Sequence, residues 1–318
     1  MKIAGIACAV GLSLALTLPD LALAQAPAPK DVMLVVPHAA GTGVDAVARS
    51  FAPSLQKTLE ANVIVDNRVG ASGAIGSAAV ARAKPDGATL MLNANPPFVT
   101  FPLTQDPPLY DPVKDFTPIA RVGSVPMVLV VSAQSDIKTF EQFAAYAWSN
   151  PAKANYASPG AGSAGYLAME RLKTLKGVNV QELLYKSTPQ SLVDVVGGHV
   201  LSAFSSLPAV TSLIDAGKLR PLAIGSSTRV QLLPNVPTLA ELTDDKEFTA
   251  SVWYGFLAPA GTPPATVSRL YEGISTAFAT EAVQQSMRAQ GILPELMAPA
   301  AFQRALAVDL KTARQLLK

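Results

Sequence analysis

The chain has 318 residues, of which 49% are hydrophobic, and its 25 Lys and Arg stand against 23 Asp and Glu for a formal net charge of +2. An excess so small and so interspersed excludes the concentrated cationic face that nucleic acid requires, while the length exceeds what one hydrophobic core organises, so two lobes are expected. The single cysteine, Cys8, falls in the N-terminal apolar stretch, which excludes a disulfide framework and a cysteine metal site from the rest of the chain.

Met1-Lys2 followed by the apolar run Ile3 to Leu18, a break at Pro19-Asp20 and the small residues Ala22 and Ala24 has the profile of a secretory signal peptide cleaved after Ala24. Residues 1–24 are therefore expected to be removed, which takes away Lys2, Asp20 and Cys8 and leaves a periplasmic chain starting at Gln25. No later apolar run has the length of a membrane span.

After the Ala/Pro segment 26–29, short β-branched runs alternate with stretches of helical period, the pattern of a largely parallel α/β sheet. Val32 to Val36 is a first strand, and Val44, Val47, Ala48, Phe51, Leu55 and Leu59 mark one face of the helix that follows. Further strands are expected at 63–65, 89–92, 127–131, 155–157, 183–185, 201–204, 222–224 and 255–258. Helices are expected at 74–83, 140–150, 164–175, 191–196, 264–279, 281–290 and 300–317. No linker composition separates successive domains, which suggests a chain that crosses between lobes more than once, near Ala120 to Val125 and Ile224 to Ser227. The lobes are then 25–122 with 226–318, and 123–225.

Two strand-to-helix loops carry the candidate chemistry. Pro37-His38-Ala39-Ala40-Gly41-Thr42-Gly43-Val44-Asp45 opens the first helix, and its glycines let backbone amides turn toward a bound anion at a helix N-terminus. It carries neither the third glycine of a dinucleotide fingerprint nor a Gly-Lys-Ser/Thr, and a plain tight turn is the competing reading. Tyr156 to Leu167 repeats the design with Ser158, Gly162, Ser163 and Ala164; Ser163 is placed to cap the next helix. Two such loops in two lobes aim two helix starts into one cleft. His38 and His199 are the only imidazoles, neither serine loop shows G-x-S-x-G, and two isolated histidines do not make a zinc cluster, so no catalytic, metal or cofactor site is expected.

Beyond these loops, Val65-Asp66-Asn67-Arg68-Val69-Gly70-Ala71-Ser72-Gly73, Lys84-Pro85-Asp86-Gly87-Ala88-Thr89-Leu90 and Tyr110-Asp111-Pro112-Val113-Lys114-Asp115-Phe116-Thr117-Pro118 occur in order. They are followed by Pro189 to Val200, Gly217-Lys218-Leu219-Arg220, Leu233-Pro234-Asn235-Val236-Pro237-Thr238-Leu239-Ala240-Glu241 and Ala258-Pro259-Ala260-Gly261-Thr262-Pro263. In these passages the chain resembles the substrate-binding proteins of the tripartite tricarboxylate transporter family, the Bug proteins.

The resemblance implies an α/β, two-lobed periplasmic-binding-protein (Venus-flytrap) fold, with a small carboxylate clamped between His38 to Asp45 and Ser158 to Ala164 and delivered to membrane permease subunits by a monomeric receptor. The residues it marks for the ligand are His38, Ala40, Gly41, Thr42, Gly43, Asp45, Asn93, Ser158, Gly162, Ser163, Ala164, Lys186, Ser187 and Ser205. Asp45 is expected to cap its helix or orient a water. Several positions depart from the family pattern: His38 stands where an aromatic residue is usual, Tyr166 where histidine is common, and Ser205-Ser206 where an acid is frequent. Loss of that acid weakens recognition of a ligand amine, and Lys186 favours a second anionic group, which points to a mono- or dicarboxylate. A sensor relay with the same clamp and a periplasmic hydrolase using Ser158 and His38 are the competing readings.

Overall fold

The structure, a computed structural model, describes residues 28–317; the expected signal peptide lies outside them. Two mixed sheets share one long strand. The first runs β2 (Asn62–Asn67), β1 (Asp31–Val36), β3 (Thr89–Ala94), β9 (Ser251–Pro259), the N-terminal part of β4 (Phe116–Ser132) and β10 (Leu293–Met297). The second runs β8 (Leu219–Ile224), the C-terminal part of β4, β7 (Ser202–Ser206), β5 (Asn155–Ser158) and β6 (Gln181–Leu184). β1, β2 and β3 are parallel to one another, as are β5, β6 and β7, and the hinge strands run antiparallel to their neighbours.

Each sheet is covered on both faces. On the first, α1 (Gly43–Leu59), α9 (Pro264–Phe278) and α10 (Glu281–Ala289) bury one face, and α2 (Ala74–Ala81), the short α3 (Pro97–Thr100) and α11 (Pro299–Leu316) bury the other. On the second, α4 (Phe140–Ser149), α5 (Ala164–Lys176) and the short α8 (Leu239–Leu242) oppose α6 (Thr188–Val196) and α7 (Leu207–Asp215). The periodic face read on α1 is the one that packs: Val47, Ala48, Phe51 and Leu55 are fully buried. Burying a large apolar side chain such as Phe51 or Leu55 contributes roughly 1.5–3 kcal/mol, so this stripe decides how α1 docks.

β4 differs from the short strand expected over 127–131. It is continuous from Phe116 because register shifts between Pro118 and Ala120 and between Arg121 and Gly123 absorb residues that interrupt a regular ladder. Its partner changes in mid-strand: Pro126 is opposite Ser251 of β9, while Met127 is opposite Ser206 of β7. The return passage closes beside it, with Met127 N donating to Ala250 O, Gly225 N to Met127 O and Ala250 N to Gly225 O, each at 2.8 Å. α7 and β10 are also elements beyond those expected.

Candidate functional site

In both lobes the loops that follow parallel strands gather at the carboxyl ends of those strands, where open α/β sheets bind ligands. In the first lobe, β1 delivers Pro37 to Thr42 and α1 starts at Gly43. Gly41 has φ +82 with open space where a side chain would stand. Asp45, only 3% exposed, holds this loop: Oδ2 accepts from Gly41 N at 2.9 Å and Arg49 Nε at 3.0 Å, and Oδ1 accepts from Asn67 Nδ2 at 3.0 Å. Asn67 Nδ2 also donates to His38 O, and Arg49 Nη2 donates to Asn67 Oδ1. Burial pushes the Asp45 carboxyl up, but the Arg49 bond, the Gly41 amide, the Asn67 amide and the Arg49 charge outweigh it and hold the group below its ordinary range.

The Gly41 amide is thus bonded to Asp45, whose carboxylate holds the loop in place. Thr42 supplies no side-chain cap, because its hydroxyl donates to Ala39 O at 2.8 Å. With Ala46 N→Thr42 O as the first helical bond, the donors left by the loop are first-turn amides starting at Gly43. His38 Nε2 lies 3.0 Å from Asn93 Oδ1. Because that oxygen only accepts, Nε2 is the donor in this contact. Asn93 is 2% exposed and its amide nitrogen donates to Ser77 Oγ at 3.1 Å, which places it behind His38 as a support.

In the second lobe, Ser158 ends β5 and is buried; its Oγ accepts from Gly160 N at 2.9 Å, so it shapes the turn. Gly160 and Gly162 have φ +109 and +84. Ser163 caps α5 as the sequence indicated, its Oγ accepting from Tyr166 N at 3.3 Å. α6 and α7 start at Thr188 and Leu207 without side-chain caps. Ser205, at the end of β7, is 3% exposed and its hydroxyl has no hydrogen-bond partner among the described residues.

An interlobe cleft of about 580 Å³ joins these parts. The second lobe contributes Gly162, Ser163, Ala164, Thr188, Ser205 and Ser206, so three helix starts converge on it; the first contributes Ser72, Pro96 and Thr100. Of the expected ligand residues, the cleft wall holds Gly162, Ser163, Ala164 and Ser205. The first-lobe set, His38, Ala40, Gly41, Thr42, Gly43, Asp45 and Asn93, is not part of that wall, and neither are Ser158, Lys186 or Ser187. Ser72, Pro96, Thr100 and Thr188 escaped sequence reasoning. Ser72 and Ala71 have φ +54 and +46, strained values for residues with a Cβ, and Asn95-Pro96-Pro97 after β3 carried a turn signal. Among the described residues, neither Ser158 nor His38 bonds the other: His38 bonds Asn93, and Ser158 bonds the Gly160 amide.

Two α/β lobes joined by crossing strands around a cleft built from helix starts define a periplasmic-binding-protein fold. Residues 47–318 match the family described as "Tripartite tricarboxylate transporter family receptor". The chain is 34% identical to Protein BugT of Bordetella pertussis over 271 residues, 85% of this chain and 83% of that one. It therefore belongs to the tripartite tricarboxylate transporter receptor family, a family of solute-binding receptors. Among solved structures, a TctC solute-binding protein from Polaromonas, without ligand, superposes with TM-score 0.84 at 29% identity, covering 92% of this chain and 98% of that one. Two Rhodopseudomonas palustris proteins match at TM-score 0.66 and 0.64: one with adipate, 30% identical (91% and 96% covered), and MatC with bound malate, 28% identical (92% and 100% covered). Among the described residues, no helix is long and apolar enough to cross a membrane.

Proposed function

We propose that this chain is an exported periplasmic receptor that closes on a small mono- or dicarboxylate and hands it, as a monomer and without chemical change, to the membrane permease subunits of a tripartite transporter. The observation that carries this reading is Ser205: a buried hydroxyl without a partner among the described residues, in a cleft wall where α5, α6 and α7 all begin. A buried polar group left unsatisfied costs free energy that a ligand oxygen recovers, and converging helix starts favour an anion. The adipate- and malate-bound relatives support a carboxylate as the class. The uncharged pair Ser205-Ser206 at the end of β7 supports a ligand without an amine. The lobe division belongs to the same reading, with the outgoing crossing at Pro126 to Met127 and the return at Ala250 to Ser251; the segment 226–250, read from the sequence with 226–318, carries α8 and packs on the second sheet.

The test is a thermal-shift screen of the purified protein against mono-, di- and tricarboxylates, aromatic acids and amino acids, followed by calorimetry of the best hit. Stabilisation that grows with concentration is expected from a carboxylate, as mass action requires. Ser205→Ala is expected to weaken that hit about fivefold, the worth of one neutral hydrogen bond. A panel in which only amino acids shift the melting point would overturn the ligand class. Uptake of the ligand should stop when the gene is deleted; uptake intact with gene induction lost would replace the transport role by a sensing one.

A further inference from the structure

A second cavity, of about 390 Å³, lies between the lobes against the hinge strands. It shares with the first cleft only Pro96, Thr100 and Ala164, and Thr100 Oγ1, 3.5 Å from Gly162 O, bridges the lobes at that partition. One wall is the face of α5 that carries Leu167 and Arg171, and the opposite wall is the face of α11 that carries Ala305 and Val308. The floor comes from β4 and β9, through Arg121 and Trp253.

Arg121 is only 8% exposed, yet among the described residues it makes one carboxylate contact, Nη2 donating to Glu295 at 3.0 Å, while Nε is buried with no partner. A buried guanidinium with an unmatched donor is costly, and what offsets that cost is an acceptor, best an anionic one. Asp309 makes no hydrogen bond to the guanidinium: its Oδ2 accepts from Trp253 Nε1 at 2.7 Å, and burial raises its carboxyl against the pull of the Arg121 and Arg171 charges. The rest of the lining joins apolar side chains such as Leu167, Phe248 and Val308 to the charged Lys246, Glu247 and Arg304, with the Arg171 guanidinium lying over the Phe248 ring at 4.6 Å.

We infer that this hinge cavity is a second binding site that takes a small amphipathic monocarboxylate, its carboxylate on Arg121 and its hydrocarbon body between α5 and α11. The volume falls in the range of small-molecule sites. Because the walls come from both lobes, occupancy is linked to the angle between them, and ligands of the two sites change each other's affinity by the same factor.

Hexanoate is the probe, titrated by calorimetry into the Ser163→Trp protein, whose front cleft is blocked, so the outcome is independent of the reading proposed for that cleft. Binding is expected to persist there and to weaken about tenfold or more when either Arg121→Gln or Ala305→Phe is added, the first removing the charged donor and the second filling the cavity from α11. Should Arg121→Gln fail to fold, Ala305→Phe alone decides. Hexanoate that binds the unaltered protein but not Ser163→Trp belongs to the front cleft and overturns the proposal, as does unchanged affinity in Ala305→Phe or no binding at all.

Discussion

Thr100 and Gly162 meet across the cleft: the Thr100 hydroxyl lies 3.5 Å from the Gly162 carbonyl, and a Cβ built on Gly162 would stand 3.3 Å from that hydroxyl oxygen. The contact pairs the first-lobe segment after β3 with the loop that opens α5. It explains why this loop position has no side chain.

Gly162→Val should therefore affect binding more than folding. The residue must keep φ +84, strained for a β-branched side chain, and the added methyls press on Thr100. Calorimetry should show ligand affinity lowered tenfold or more with the circular dichroism spectrum unchanged; an unchanged affinity would remove the Gly162 loop from the site.

Asp45→Asn tests the net behind the first-lobe loop. The carboxylate is held below its ordinary range in the folded protein, so it contributes stability that is fully present above its unfolded pKa and lost as pH falls through the folded one. The amide that replaces it cannot carry that charge. The stability difference between the two proteins, about 1–2 kcal/mol near neutrality from lost charge-assisted bonds, should shrink as urea midpoints are measured into the acid range below about pH 4.

His38→Phe removes the bond to Asn93 but leaves the Asp45 net intact, since His38 enters that net through its backbone oxygen. The order of preference among carboxylates should change while the melting temperature shifts by less than about 4 °C, the equivalent of a small destabilisation. An identical ligand profile would show that the imidazole does not reach the ligand.

Asp309→Asn has the opposite sign to Asp45→Asn. Burial raises the Asp309 carboxyl, against the lowering effect of the Trp253 bond and of the Arg121 and Arg171 charges. The folded protein thus holds this proton more tightly than the unfolded chain, and stability falls as pH rises from the ordinary carboxylate range toward the raised pKa. The substituted amide keeps an oxygen that accepts from Trp253, so urea midpoints of the variant should lose most of that decline; an unchanged slope would show that Asp309 is ionised throughout.

Much of this arrangement is legible in the sequence because it is local. The apolar stripe of α1, the short β-branched strands and the two glycine-bearing loops all announce themselves within a dozen residues, and Ser163 caps α5 as its position predicts. What is hidden depends on partners far along the chain. Nothing near Asp45 shows that Asn67 will occupy its Oδ1 while Oδ2 takes the Gly41 amide. β4 is obscured by Pro118, Gly123 and Pro126, which read as interruptions until β9 and β10 supply the register shifts that accommodate them. Ser205 shows only that an acid is missing there; its unpaired state appears once β7 is set beside β4.

The shared strand β4 has a consequence for how this protein can be taken apart. Residues 116–132 complete one sheet with their first half and the other with their second, and the ring of bonds among Met127, Gly225 and Ala250 fastens the outgoing and returning passages together. A cut inside either half of this strand strips a central strand from the sheet that half completes, so a fragment bounded there should not fold. Heat should melt them in one calorimetric transition, with the hinge acting as the seam of a single cooperative body.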